Sequence, residues 1–281
     1  MKVGVYGTGT MGTGIAQAFA QAEGYDVVLI HYSNVERANL GKERIAKGLD
    51  KRVARGKITQ EYADSVLAKI DTGLKDKAAD CDLIVEAVAE DMKVKKKAFD
   101  ELDAVCKPEC LFTTSTSSLS ITEIAAGVEN HVLMGMHFFN PAPVMKLIEV
   151  IPGLNTPQET VDEVMKISEE IGKVPVLVDD SAGFIVNRLL IPMINEAVDV
   201  YAEGIATVEG IDTAMKLGCN HPMGPLALAD SIGLDVCLAV MEVLYKETGD
   251  TKYRPIPLLR KMVRGGKLGV KSGEGFYVYN K

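Results

Sequence analysis

The stretch Gly7-Thr-Gly9-Thr-Met-Gly12 decides the fold, because it joins an apolar strand pattern, Val3–Tyr6, to a helical pattern, Gly12–Ala22. In such a turn the first glycine permits a tight bend and the second lets the backbone approach a pyrophosphate. The third lets helix and strand pack closely. The N–H groups at the start of the helix then attract the phosphates. The spacing predicts a dinucleotide-binding strand-turn-helix with the site residues Gly7, Gly9, Thr10, Met11 and Gly12.

The end of the second predicted strand, Asp26–Ile30, departs from the usual dinucleotide site. A carboxylate is expected there, since it accepts a hydrogen bond from the ribose 2′-hydroxyl of NAD. It would also repel the additional phosphate of NADP. His31 follows the strand instead, with Ser33 and Arg37 nearby. Two interpretations stay open: these three residues hold the phosphate of NADP(H), or they form a solvated loop and NAD(H) binds through its other contacts.

Short apolar runs alternate with amphipathic stretches in the first part of the chain, which is typical of βαβ units and a parallel sheet. The further predicted strands are Leu83–Ala87, Leu111–Thr114, Val132–His137, Leu147–Ile151 and Pro175–Val178. The predicted helices of this part are Val35–Lys69, interrupted near Gly56, and Lys93–Val105, Ile121–Ala126 and Glu159–Ile171. From Phe184 onward apolar residues recur at helical spacing, over Leu189–Glu203, Val208–Leu217, Ile232–Thr248 and Pro257–Arg264. We therefore expect an α/β protein, with a Rossmann-type, mostly parallel sheet domain over residues 1–181 and a smaller all-helical domain over residues 182–281.

Composition narrows the class of function. The 281 residues are 47% hydrophobic and 25% charged, as in ordinary globular proteins. A net charge of −8 argues against nucleic-acid binding, which needs a basic surface. We expect no membrane segment and no signal peptide, because the apolar runs are short and a strand pattern begins at once. The five cysteines include no pair with zinc-ligand spacing, so we expect no metal and reduced thiols in a cytoplasmic protein.

Three further segments carry polar side chains suited to redox catalysis. They are Ser115-Thr-Ser117-Ser118-Leu-Ser120, Gly135-Met-His137-Phe-Phe-Asn140 and Gly183-Phe-Ile-Val-Asn187-Arg188. Oxidising a secondary alcohol requires a base that takes the hydroxyl proton while hydride leaves the same carbon. Histidine, with an ordinary pKa of about 6.5, suits that role.

Together with the glycine turn and the closing Lys271-Ser-Gly-Glu-Gly-Phe-Tyr277, these segments resemble the L-3-hydroxyacyl-CoA dehydrogenase family over the whole chain. Within that family the similarity is to the enzymes that act on short acyl chains. The resemblance implies reversible hydride transfer between NAD(P) and C3 of 3-hydroxybutyryl-CoA or acetoacetyl-CoA.

The resemblance also implies roles for individual residues. His137 is the acid–base residue and Glu149 the carboxylate that pairs with it, while Ser117 and Asn187 bind the substrate oxygen. Glu90, Lys95 and Asn140 match further cofactor contacts. From the residue alone, Glu149 would more often be a surface charge at a strand end. Ser117 could instead cap a helix, a role that Ser118 or Ser120 could also take, and Asn187 could be a cap.

The partners follow from the resemblance and from a basic cluster, Lys47, Lys51, Arg52, Arg55 and Lys57. The family places its CoA-contacting arm here, so Lys51 and Arg55 are expected to contact phosphates, although a solvated charged face is the simpler interpretation. The apolar second domain is expected to form a homodimer or higher homo-oligomer. Two alternatives stay open: a dehydrogenase for a free hydroxy or sugar acid, and a non-catalytic relative such as the lens crystallins.

Overall fold

The computed structural model describes residues 1–279, and the chain divides into two units, Met1–Ser181 and Ala182–Lys281. Each unit has its own apolar core. The core of the first lies between the sheet and its helices and includes Val5, Phe19 and Leu29, all fully buried. In residues 1–279 no helix is both long enough and apolar enough to cross a membrane.

The first unit contains an eight-stranded sheet. Its strands are β1 Lys2–Tyr6, β2 Asp26–Ile30, β3 Ile70–Gly73, β4 Leu83–Glu86, β5 Leu111–Thr114, β6 Leu133–Phe138, β7 Leu147–Ile151 and β8 Val174–Leu177. Their order is β3-β2-β1-β4-β5-β6-β7-β8, and neighbouring strands are parallel except for β6 and β7, which are antiparallel. Helices cover parallel sheets on both faces, which explains why the central strands read as continuous apolar runs.

The helices of the first unit are α1 Thr10–Ala20, α2 Val35–Ala54, α3 Gln60–Ala68, α4 Met92–Asp103, α5 Ile121–Ala125 and α6 Gln158–Glu170. Several begin at a polar residue that accepts a backbone N–H, as N-caps do. Asn34 caps α2, Asp91 caps α4 and Ser120 caps α5. The caps stabilise helix starts close to strand ends, where the loops of the site lie.

The second unit is helical, with α7 Val186–Ala202, α8 Val208–Gly218, α9 Pro225–Ile232, α10 Leu234–Thr248 and α11 Pro257–Arg264. Its buried core includes Ile194, Leu226 and Leu244. Two carboxylates organise the end of the described chain: Asp230 accepts from the backbone N–H of Phe276 and Tyr277, and Asp212 accepts from the Tyr277 hydroxyl at 2.8 Å.

The predicted fold class is confirmed: a mostly parallel sheet with helices is followed by a helical domain. The sequence interpretation missed β3, a four-residue strand with polar residues at its centre. The single helix predicted over Ile232–Thr248 was wrong at its start, because Gly233 (φ +107°) separates α9 from α10. The break near Gly56 is confirmed, since α2 ends at Ala54 and α3 begins at Gln60.

Candidate active site

The glycine turn after β1 contains two glycines that the fold needs and one that it does not. A Cβ on Gly12 would lie 1.9 Å from the carbonyl oxygen of Gly7, and a Cβ on Gly7 would lie 2.3 Å from that of Ala87. A Cβ on Gly9 would meet no protein atom within 4 Å. Gly9 also has an ordinary backbone conformation (φ −74°) that alanine adopts readily. The absence of a side chain at Gly9 therefore leaves open space beside the turn that the protein itself does not fill.

A cavity of about 950 Å³ opens over this turn. Its size lies at the upper end of the usual range for small-molecule sites, roughly 300–1,000 Å³. The lining residues come from the turn, the end of β2, α2 and α4: Tyr6, Gly7, Thr8, Gly9, Thr10, Met11, His31, Tyr32, Arg37, Leu40, Arg44, Ala87, Val88, Ala89, Val94, Lys97, Ala98 and Glu101. The structure thus brings most of the predicted cofactor residues of the turn and of the end of β2 to one cavity. Gly12 and Ser33 are not among those that line it.

His31 lies directly after β2, where the carboxylate of an NAD site is expected. Its Nδ1 accepts hydrogen bonds from the backbone N–H of Ser33 (3.2 Å) and Asn34 (3.1 Å). Burial lowers the pKa of His31, and the Arg37 guanidinium lowers it further. The ring is therefore neutral near pH 7, with its proton on Nε2.

His137 and Glu149 are directly opposite each other on β6 and β7. Side chains of an antiparallel cross-strand pair lie on the same face, so residues twelve apart in the sequence come together. Both are buried, at 3% and 1% exposure, and His137 Nδ1 lies 2.7 Å from Glu149 Oε2. Glu149 is therefore not a surface charge at a strand end, which was the alternative interpretation of the sequence.

Ser117 completes this arrangement from the loop after β5. Its Oγ lies 3.1 Å from Nε2 of His137. Ser120, not Ser117, caps α5, so the cap interpretation of Ser117 was wrong. Because a carboxylate only accepts, Nδ1 donates to Glu149, and in the neutral form of the ring Nε2 has its lone pair on the Ser117 side. In this arrangement the Glu149 carboxylate orients the His137 ring, and the basic nitrogen of the ring lies beside the Ser117 hydroxyl.

The serine loop is held by a carboxylate at each end. Glu90 Oε1 accepts from the Thr116 hydroxyl (2.8 Å), the Ser117 N–H (2.8 Å) and the Ser118 N–H (3.0 Å). Burial acts to raise the pKa of Glu90, but the nearby Lys95 ammonium and these hydrogen bonds outweigh it, so its pKa lies below the ordinary value. Asp180 accepts from the backbone of α5 and from the Ser120 hydroxyl at 3.0 Å.

Glu90, whose side chain is 39% exposed, also pairs with Lys95, which forms a buried ion pair with Glu86. Lys95 lies 2.9 Å from Oε1 of Glu86 and 3.4 Å from Oε2 of Glu90, and it is 1% exposed. Glu86 is completely buried at the end of β4 and also accepts from the Thr114 hydroxyl (2.6 Å). Sequence reasoning missed Glu86, although an acid that ends an apolar strand, with a lysine nine residues later, was the available signal. Neither Glu90 nor Lys95 is among the cavity-lining residues of the described chain, so their cofactor contacts stay predictions.

The other predicted residues lie in three places. Asn140 is exposed two residues after β6, and Lys51 and Arg55 are exposed at the carboxyl end of α2. Asn187 lies in the first turn of α7 in the second unit, where Ile185 is the N-cap, so Asn187 is not the cap. Their binding roles stay predictions.

We expect Lys95→Met to destabilise the protein strongly, because the buried Glu86 and the adjacent Glu90 lose the cation that compensates their charge. We expect a loss of about 3–5 kcal/mol in the free energy of unfolding, measured by urea denaturation. The matched control is Lys96→Met, whose partner Glu123 lies 3.1 Å away on the surface. That exposed pair should contribute about 0–1 kcal/mol. Equal stability of the two variants would contradict the role given to Lys95.

The comparisons with known proteins agree with this geometry. Residues 2–181 match the family model for 3-hydroxyacyl-CoA dehydrogenase, NAD binding domain, and residues 183–279 match that for 3-hydroxyacyl-CoA dehydrogenase, C-terminal domain. The chain is 52% identical over 286 residues to a 3-hydroxybutyryl-CoA dehydrogenase of Clostridioides difficile, with 100% of both chains covered. It is 50% identical over 283 residues to a probable 3-hydroxybutyryl-CoA dehydrogenase of Bacillus subtilis, covering 100% of this chain and 98% of the relative.

A solved structure gives the same result. The (S)-3-hydroxybutyryl-CoA dehydrogenase of Ralstonia eutropha superposes with a TM-score of 0.93 at 47% identity, covering 100% of this chain and 99% of that one. The resemblance found in the sequence is confirmed, and the first unit is an NAD-binding domain. The chain belongs to the 3-hydroxyacyl-CoA dehydrogenase family.

Proposed function

We propose that this chain is a 3-hydroxybutyryl-CoA dehydrogenase, which interconverts 3-hydroxybutyryl-CoA and acetoacetyl-CoA with NAD(H). The observation that carries the proposal is the Ser117–His137–Glu149 arrangement in a domain that binds NAD. The names of the C. difficile and R. eutropha relatives support the short acyl chain. Such an arrangement serves acid–base chemistry at a hydroxyl, which a purely structural relative does not need.

We assign the proton transfer to Nε2 of His137. NAD(H), when bound, accepts or supplies the hydride at C3 of the substrate. Nε2 of His137 takes the proton of the C3 hydroxyl in oxidation and returns it to the carbonyl oxygen in reduction. Glu149 holds the ring in the required tautomer and stabilises the imidazolium that forms. The Ser117 hydroxyl lies beside Nε2, where it is placed to hydrogen-bond the same substrate oxygen.

The CoA part of the substrate is proposed to contact the exposed carboxyl end of α2. Lys51 and Arg55 are four residues apart and therefore lie on one face of the helix end. CoA carries anionic phosphates, which such cations attract. A dehydrogenase for a free hydroxy acid would not need these contacts.

Initial rates with acetoacetyl-CoA and with free acetoacetate, each with NADH, test the function. We expect reduction of the CoA ester and little reduction of the free acid. His137→Ala should lower kcat about 100-fold or more, because the acid–base residue is lost, while NADH binding is retained. The control is His221→Ala, in the loop after α8. Reduction of acetoacetate that is faster than that of acetoacetyl-CoA, or unchanged turnover in His137→Ala, would contradict the proposal.

The cofactor site makes a prediction about two neighbouring glycines. Gly9→Ala should keep the melting temperature but weaken NADH binding about tenfold or more, since the new methyl group occupies the space of the ligand. Gly12→Ala should lower stability by about 1–3 kcal/mol, because its methyl group meets the Gly7 carbonyl. Calorimetry and fluorescence titration measure the two effects. A Gly9→Ala protein that binds NADH normally would show that the turn is not the pyrophosphate site.

We also propose a homodimer, or a multiple of it, formed through the second unit, in a cytoplasmic protein. Large apolar side chains are exposed there, notably Leu189 (70%), Ile205 (67%) and Leu217 (82%), and covering them with a second copy would remove apolar surface from water. The five cysteines are free thiols, which supports a reducing compartment. Light scattering should give at least twice the 30.3 kDa chain mass, and a stable monomer at micromolar concentration would contradict the dimer.

A further inference from the structure

We propose that the ribose end of the cavity accepts a 2′-phosphate, so that the protein binds NADPH at least as tightly as NADH, with Arg37 and His31 as the residues that hold this phosphate. The inference deepens the proposed function and rests on its dinucleotide site. It concerns the group at the end of β2, the position that distinguishes the two cofactors in this fold.

The first observation that supports the proposal is that His31 occupies the position where an NAD-specific site has a carboxylate. His31 immediately follows β2, and its N–H donates to the Gly73 carbonyl at the end of β3 (3.1 Å), so its backbone is part of the sheet edge. Its side chain lines the cavity. A carboxylate here would repel a phosphate, whereas the imidazole carries no negative charge. The feature that excludes NADP in NAD-specific sites is therefore missing.

The second support is the hydrogen-bonding state of His31. Nδ1 accepts from two backbone N–H groups, at 3.2 Å from Ser33 and 3.1 Å from Asn34. The neutral ring then carries its proton on Nε2 and acts as a donor there. A phosphate oxygen only accepts at neutral pH, so the two groups match.

The third support is the charge of the cavity wall. Three basic side chains line it, Arg37, Arg44 and Lys97, against the single acid Glu101. Glu101 lies 3.4 Å from the Lys75 ammonium, which offsets its charge. The wall therefore has a net positive charge, although the whole chain carries −8.

Arg37 is the member of this set best placed for the ribose. It lies in the first turn of α2, six residues after His31, while Arg44 donates to the Thr8 carbonyl in the glycine turn. Among the ion pairs of residues 1–279 none involves Arg37, so no carboxylate neutralises it. A guanidinium binds phosphate through two parallel hydrogen bonds, which makes arginine the usual partner of the 2′-phosphate.

Fluorescence titration of the full-length protein with NADPH and with NADH, in the absence of any CoA ester, tests the proposal. NADPH should bind at least as tightly as NADH. Arg37→Ala should weaken NADPH binding about tenfold or more and leave NADH binding nearly unchanged. His31→Asp should reverse the preference in favour of NADH. Lys166→Ala, which removes an exposed cation from α6, is the charge-matched control and should change neither affinity.

Weaker binding of NADPH than of NADH by the unaltered protein would overturn the inference. So would an Arg37→Ala variant that loses affinity for both cofactors equally. Failure of the proposed function looks different, because then neither nucleotide binds, or both bind and acetoacetyl-CoA is not reduced. Parallel initial rates with the two cofactors provide the second readout.

Discussion

The hydrogen bond between His137 and Glu149 is the interaction on which the proposed chemistry depends. It can form because β7 runs antiparallel to β6. Within residues 1–279, β6 and β7 are the only antiparallel neighbours of the sheet. In a parallel sheet, a strand after β6 would require a long crossover, and residues twelve apart would not become direct partners. The register matters equally, since a slip of one residue would turn Glu149 to the other face. Packing of Ile148 and Val150 in the core holds that register.

The loop that carries Ser117 obtains its geometry from charge rather than from apolar packing. Glu90 accepts hydrogen bonds from the N–H groups of the loop, and the Lys95 ammonium pairs with both Glu90 and Glu86. Burying two ionisable groups, Glu86 and Lys95, is costly unless they are paired, so this network is an expensive way to stabilise a fold. Its benefit is positional, because the hydrogen bonds to the loop are directional and charge-assisted. The network therefore connects the end of β4 to the hydroxyl beside His137.

Much of this architecture was predictable, for physical reasons that differ between elements. The glycine turn was predictable because Gly7 and Gly12 have no room for a side chain and Gly9 leaves space for a ligand. The apolar strands were predictable because both of their faces are buried. β3 was not predicted because it is short and its central residues, Asp71 and Thr72, give no apolar pattern. The boundary of α9 and α10 depends on the backbone conformation of Gly233, which periodicity does not report. His137 and Glu149 were found through family resemblance. Glu86 was missed although its partner Lys95 is nearby in sequence, whereas Asp180 needed coordinates, since its partners at the start of α5 are distant in sequence.

The proposed chemistry requires Glu149 to act through His137, and the substitution Glu149→Gln tests this most directly. Glutamine keeps the size of the side chain and removes the charge that fixes the tautomer and stabilises the imidazolium. Steady-state rates of acetoacetyl-CoA reduction should show kcat lowered about 100-fold or more, with NADH affinity and melting temperature retained. A Glu149→Gln protein whose kcat stays within about twofold of the original would show that the pair does not operate as proposed.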